Sequence, residues 1–142
     1  MAKRRSTLNL FLDSSVLFTA VNSPFSGSAK LFTLKNIRRH VSRIVLHEVE
    51  KNVRKKLVEA QLKRFFRLVD KVVVIKEVPS QSQIDRARKV IAEKDAVILA
   101  EFVRSNCDYL ITLDKRDFLQ EKVFEFVKPK KILSPKMFFK MI

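Results

Sequence analysis

Short apolar runs, separated by stretches of helical periodicity, constrain this chain more than any other feature. Leu8, Leu10, Phe11 and Leu12 form one run, closed by Asp13. Four to six apolar residues ended by a polar one suit a buried strand. Residues 72–75 are β-branched throughout (VVVI) and predict a strand buried on both faces. Residues 109–113 predict another strand, ended by Asp114, and residues 43–46, in the segment SRIVL, read as a further short one. A fifth strand is expected within residues 127–133.

The intervening segments read as helices. Ser14 and Ser15 offer capping hydroxyls to a helix carrying Val16, Leu17 and Ala20. The segment SPFSGSAK, with the only Gly, reads as a loop. Glu48 opens a pattern with Val49, Val53 and Leu57 at i, i+4 and i+8, followed by Leu62, Phe65, Phe66 and Val69. Beyond Pro79, Ser80 or Ser82 can cap a helix through Ile84, Ala87, Val90 and Ile91, and a mostly apolar helix starts near Asp95. Residues 135–141 predict a closing helix, with Phe138 and Phe139 open to a dimer contact or to the core. Strands alternating with helices specify an α/β sandwich around a mostly parallel sheet of four to five strands, as one domain over residues 1–142.

Charge narrows the function. Lys and Arg number 30 against 15 Asp and Glu, a formal net charge of +15, which favours a polyanionic partner. A single Cys gives no intrachain disulfide, and Cys107 reads as a small buried hydrophobe in a reducing compartment. No apolar run reaches the roughly 18 residues of a membrane span. The opening MAKRRSTLNLFLD reaches Asp13 too early for a signal-peptide apolar region. The expected location is therefore cytoplasmic, away from membranes.

In so basic a chain, the acids at strand ends stand out. Asp13 and Asp114 close two strands, Glu48 follows a third, and Asp95 begins a buried-looking helix. Ligands of open parallel sheets collect beyond the strands' carboxyl ends, where the topology reverses. If the first and fourth strands are neighbours, Asp13 and Asp114 meet there, with Asp117 on the turn that follows. Crowded carboxylates resist ionising unless a cation joins them. A hard divalent ion such as Mg²⁺ or Mn²⁺ suits an all-oxygen site and would neutralise a phosphodiester in reaction. The metal candidates are thus Asp13, Asp95, Asp114 and Asp117, and the catalytic candidates Asp13, Glu48, Asp95 and Asp114. Arg43, Lys51, Arg54, Lys55, Lys115 and Arg116 are the candidate phosphate contacts. Arg38, Arg39 and Arg43 flank the entrance to the second strand, and Lys51, Arg54, Lys55 and Lys56 line the helix after it in a basic stripe extended by Lys63, Arg64 and Arg67.

Blander roles weigh against each assignment. Asp13 can cap the helix after it, Asp95 can answer the helix dipole, Glu50 rivals Glu48, and Asp117 can be an ordinary surface acid. Ser15 and Thr112 suit capping or strand packing, and His40 and His47 suit solvated or partly packed positions. A phosphatase of the haloacid dehalogenase type also begins from a strand-ending Asp. It needs a second Asp two residues on, where this chain has Ser15. A basic RNA-binding module that does not cut is the main rival to a nuclease.

The segments LFLDSSVLFTAV, SRIVLHEVEKNV, EKDAVILAEFV and CDYLITLDKRDF, in that order and spacing, resemble PIN-domain proteins, and the likeness extends to the terminal ILSPKMFFK. It is closest to the prokaryotic toxin group. The resemblance implies a three-layer α/β/α fold and a Mg²⁺- or Mn²⁺-dependent ribonuclease acting on RNA. It further implies the toxin of a type II toxin–antitoxin pair, with an antitoxin protein as partner and self-association as a homodimer. It places the family's acidic quartet on Asp13, Glu48, Asp95 and Asp114, with Asp117 as the frequent fifth acid. Phe102 departs from the small residue usual in that helix.

Overall fold

The structure is a computed structural model and describes residues 7–142. The basic opening of the chain, read above against a signal peptide, lies in part outside the described residues. Five strands form one all-parallel sheet: β1 (Leu8–Leu12), β2 (Ile37–Ser42), β3 (Val72–Ile75), β4 (Tyr109–Ile111) and β5 (Lys131–Leu133), in the order β3-β2-β1-β4-β5. Between them run α1 (Ser14–Asn22), α2 (Gly27–Lys30), α3 (Arg43–Lys56), α4 (Glu59–Val69), α5 (Gln81–Arg88), α6 (Glu93–Arg104), α7 (Glu121–Val127) and α8 (Pro135–Met141).

The chain moves outward from β1 through β2 to β3, then returns to β4 on the other side of β1. The strand order therefore reverses between β1 and β4. Helix α1 packs with α2, α3 and α4, while α5 packs with α6. Right-handed crossovers in opposite directions put these two groups on opposite faces, which makes the α/β/α sandwich. Among the described residues no helix is long and apolar enough to cross a membrane.

Packing explains why the elements hold. Leu10, Phe11, Leu12, Val41, Leu110 and Ile111 are fully buried across the three central strands. Phe11 meets Phe102 of α6 edge-on at 5.9 Å between centroids, so Phe102 fills the sheet–helix layer where a small side chain was expected. Cys107 is buried, and burial pushes its thiol up to about 11, which leaves it inert.

The structure corrects several sequence expectations. SRIVL is not a strand: the Ser42 hydroxyl accepts from the Val45 N–H at 3.1 Å, and residues 43–46 form the first turn of α3. Val45, Val49 and Val53 repeat at i+4 and are buried, so the helical stripe starts one turn before Glu48. The second strand is instead IRRHVS, hidden by its charge. Its Arg39 Nη1 donates to Leu31 O at 2.8 Å, and its buried His40 has Nε2 3.1 Å from Asn9 Oδ1. Nor is β3 buried on both faces. It is an edge strand, and Val73 is 46% exposed.

Smaller corrections follow. Gly27 starts α2, capped by Ser26, inside the segment read as loop. Leu113 lies beyond β4 and is exposed, and Val127 ends α7 rather than starting β5. Phe66 is half-exposed. Phe138 is fully buried against Tyr109, which removes it from any dimer contact.

Glu101 of α6 generates a test of this core. It is 7% exposed and its Oε1 has no partner. Burial pushes its carboxyl up to about 7, opposed by a hydrogen bond with Ser42. The folded chain then holds a proton that the unfolded chain has released, so Glu101 makes stability fall as pH rises from its ordinary 4.5 toward 7. Glu101→Gln should flatten the fall in urea midpoint between about pH 5 and pH 8. Parallel midpoint-versus-pH curves for the two proteins would contradict the assignment.

Candidate active site

The reversal point between β1 and β4 carries the site. Leu12 lies opposite Ile111 in register, and the Asp13 N–H donates to Ile111 O at 3.0 Å. That pairing brings Asp13 beside Thr112. The Thr112 hydroxyl donates to Asp13 Oδ2 at 2.9 Å and accepts from the Asp114 N–H at 3.0 Å. Ser15 makes a second bridge, donating to Asp13 Oδ2 at 3.0 Å and accepting from the Leu113 N–H at 3.1 Å. Two hydroxyls thus tie the ends of two strands through one carboxylate.

Asp13 occupies the N-cap position of α1 but makes no side-chain cap bond there. The capping role weighed from sequence is therefore unfilled; the carboxylate is turned to Thr112 and Ser15. It is 4% exposed. Burial raises its pKa, the hydrogen bonds from Thr112, Ser15 and the Ser14 backbone oppose that, and the nearby charge of Asp114 adds to it.

Three other acids converge beside it. One carboxylate oxygen from each of Asp95, Asp114 and Asp117 lies within 4.8 Å of the others. Asp95 comes from the first turn of α6, and Asp114 and Asp117 from the turn after β4, where the Asp117 N–H donates to Asp114 Oδ1 at 2.9 Å. Asp95 Oδ2 is buried with no hydrogen-bond partner. Burial pushes the Asp95 carboxyl up to about 6; Lys94 opposes this, while Asp13, Asp117 and Asp114 reinforce it. A trio of hard oxygen donors, one of them orphaned, fits a divalent cation such as Mg²⁺ or Mn²⁺. Asp13 stands outside this trio, although sequence grouped it with the ligands.

All these acids except Asp117 line one cavity of about 300 Å³, together with Glu48, Asn52, Lys56, Lys94 and Phe18. Glu48, Asn52 and Lys56 recur every four residues along α3, so one helical face looks into the cavity. Glu48 is exposed at its rim, where Ser14 Oγ donates to Glu48 Oε1 at 3.3 Å. Glu50 pairs instead with Arg54 at 3.0 Å, which removes it as the rival. Lys94 Nζ stands 3.6 Å from Asp117 Oδ2, the one ion pair at the site among the described residues.

The six candidate phosphate contacts are all exposed but do not form one cluster. Arg43 and Lys51 flank a groove floored by Ile44 and shared with Glu48. Arg54 is engaged by Glu50, Lys55 lies farther along α3, and Lys115 and Arg116 sit on the turn between Asp114 and Asp117. Lys94 escaped the sequence reading, though it directly precedes Asp95. Lys56 was read only as part of the basic stripe. The roles of Thr112 and Ser15 were also missed, because a strand-end hydroxyl looks the same whether it packs or bridges.

The model of the PIN domain matches residues 10–123. No curated protein matches the chain. Among solved structures, the chain is similar to VapBC2 from Rickettsia felis bound to a DNA fragment from their promoter, with TM-score 0.68, 17% identity, and 89% of this chain and 98% of that one covered. It is also similar to PAE2754 from Pyrobaculum aerophilum, at TM-score 0.65 and 14% identity over 95% of each chain. VapBC-1 from nontypeable Haemophilus influenzae gives TM-score 0.61 and 19% identity over 91% of this chain and 99% of that one. At such identities the likeness is one of fold. The family model, however, spans most of the chain and every acid of the site, and the chain belongs to the PIN domain family.

Proposed function

We propose that the chain is a divalent-metal-dependent endoribonuclease, a single domain over residues 1–142 acting in the cytoplasm. The observation that carries this reading is the Asp95–Asp114–Asp117 trio with its orphaned buried oxygen, set at the sheet's reversal point in a molecule of net charge +15. Asp95, Asp114 and Asp117 would hold Mg²⁺ or Mn²⁺, with Asp13 lining the same cavity beside them. When bound, the ion supplies charge neutralisation at the phosphodiester and acidifies a water.

The chain's own residues do the rest. Ser15 and Thr112 fix the Asp13 carboxylate in one orientation and hold it ready without exposing it to solvent. Glu48, exposed across the cavity, is placed to accept a proton from the attacking water at its carboxylate. Lys56 and Lys94 on the cavity wall offer donors to non-bridging phosphate oxygens. The likeness to the VapBC structures supports a toxin role with an antitoxin as protein partner; a homodimer as the assembled form is proposed from the family resemblance alone.

Two measurements test this. Titration with Mn²⁺ should raise the urea midpoint of the wild type, corresponding to about 2.7 kcal/mol of unfolding free energy at a hundred times the dissociation constant. Asp95→Asn and Asp114→Asn should lose that increment, and an undiminished rise in both would remove the metal from the trio. Asp13→Asn should keep its fold, seen by circular dichroism, yet lose RNA cleavage by about two orders of magnitude or more. Salt-sensitive RNA binding that yields no product with either Mg²⁺ or Mn²⁺ would instead establish the non-cutting RNA-binding module.

A further inference from the structure

A second polar surface lies apart from the acids, on the α5–α6 face of the sheet at its β2–β3 end. The pleat sets its composition. Arg39 bonds to the carbonyl of Leu31 on the α1–α4 side, so its neighbours Arg38 and His40 project to the other face. In register, His40 stands beside Val73, and Asn9 beside Arg38. A parallel sheet covered by helices ordinarily carries apolar residues on both faces. Here α6 ends at Arg104, and Val73 is left half-exposed.

The result is a groove of about 740 Å³ lined by Arg38, His40, Lys76, Gln83, Arg104 and Asn106, among others, with Glu77 the one acid of its lining. Among the described residues, Arg38, Lys76 and Arg104 take part in no ion pair, whereas Arg54, Arg88 and Lys128 do. The field is felt inside the groove: burial and then the charge of Arg38 hold the His40 imidazole below its usual range.

We infer that this groove binds the sugar–phosphate backbone of single-stranded RNA flanking the segment held at the acid cavity. Three unpaired cations supply the phosphate contacts, and the Gln83 and Asn106 amides supply donors and acceptors for sugar or base edges. An acidic peptide would add to the open β3 edge through main-chain bonds. The cations instead rim the groove from three elements, Arg38 on β2, Lys76 just beyond β3 and Arg104 at the end of α6, which suits a chain of phosphates laid across it. The groove sits over β2 and β3 and the acid cavity beyond β1 and β4, so one RNA engages both only when it is long enough to span the two.

The inference rests on the ribonuclease reading for its choice of ligand, and its test separates the two. In EDTA, fluorescence anisotropy would follow labelled single-stranded RNAs of about 20 and about 4 nucleotides. Arg38→Gln/Arg104→Gln should weaken binding of the longer RNA about tenfold and reduce the slope of log K against log salt by about 1.4, the share of two phosphate contacts. The short RNA, with few phosphates to offer and no metal at the acid cavity in EDTA, should bind weakly to both proteins. Arg38→Lys/Arg104→Lys should restore most of the lost affinity. Unchanged affinity and salt slope for the long RNA in a variant with wild-type circular dichroism would overturn the inference, as would displacement of that RNA by polyglutamate but not by excess unlabelled RNA. Cleavage by the wild type in Mn²⁺ is scored separately; its absence alone would refute the nuclease reading and leave the groove result standing.

Discussion

Beyond the β1–β4 ladder, the Thr112 hydroxyl ties together the acids that follow the two strands. Thr112 donates to Asp13 and accepts from the backbone of Asp114, and Ser15 adds a second bridge between Asp13 and Leu113. The bridge depends on register, because a slip of one residue would turn Thr112 to the opposite face. It also depends on burial, since Thr112 is fully buried and Asp13 nearly so, and a hydrogen bond shielded from water is strengthened while its loss is penalised. The rest of the site hangs on that geometry. Asp114 can stand beside Asp95 only because its backbone is fixed, and Asp117 is fixed in turn by its N–H to Asp114.

Crowding carboxylates opposes folding, and the fold distributes that opposition. Asp13 belongs to the end of β1, Asp95 to α6, Asp114 and Asp117 to the turn after β4, and Glu48 to α3. Each element is anchored by its own apolar side chains, such as Leu12, Leu99, Ile111, Phe118 and Val49, all fully buried. The acids therefore need not attract one another to stay together; the core holds them against their repulsion. Burial, reinforced by the neighbouring acids, raises the pKa values of Asp13 and Asp95, and leaves a buried oxygen on Asp95 without a hydrogen-bond partner. Long-range and short-range electrostatics then differ in sign. Beyond a Debye length of about 8 Å a polyanion meets the averaged basic surface, while at contact it meets acids, softened only by Lys56 and Lys94.

Much of this was legible in the sequence. Strands built from apolar residues and closed by Asp are recognisable because burial and strand termination are both local properties. Asp13, Asp95 and Asp114 could be singled out for the same reason, each being an acid in an apolar neighbourhood. What escaped depends on distant partners. Thr112 and Ser15 gain their roles from residues 99 and 98 positions away along the chain. Lys94 gains its role from Asp117, which lies beyond the rest of α6 and β4 along the chain. Phe138, read as open to a dimer contact, is claimed by Tyr109 of a strand the C-terminal helix reaches only in three dimensions.

The largest misreading, of β2, has a physical cause that bears on function. A strand is recognised by the residues it buries, and IRRHVS buries its last three while keeping Arg38 exposed. Arg39 is accommodated by carbonyls at the end of α2 and just beyond, and His40 by Asn9, so the strand forms despite its charge. The apolar SRIVL segment then looked like the better strand, although the Ser42 cap had already committed it to α3. Charge that costs a strand its sequence signature also costs it folding energy, since cations near a sheet face lose hydration without gaining ion pairs. Arg38 and Arg104 escape most of that penalty by remaining exposed, which keeps the β2–β3 corner open to solvent. The property that hid the strand is thus the one that leaves this face of the sheet free to meet an anion.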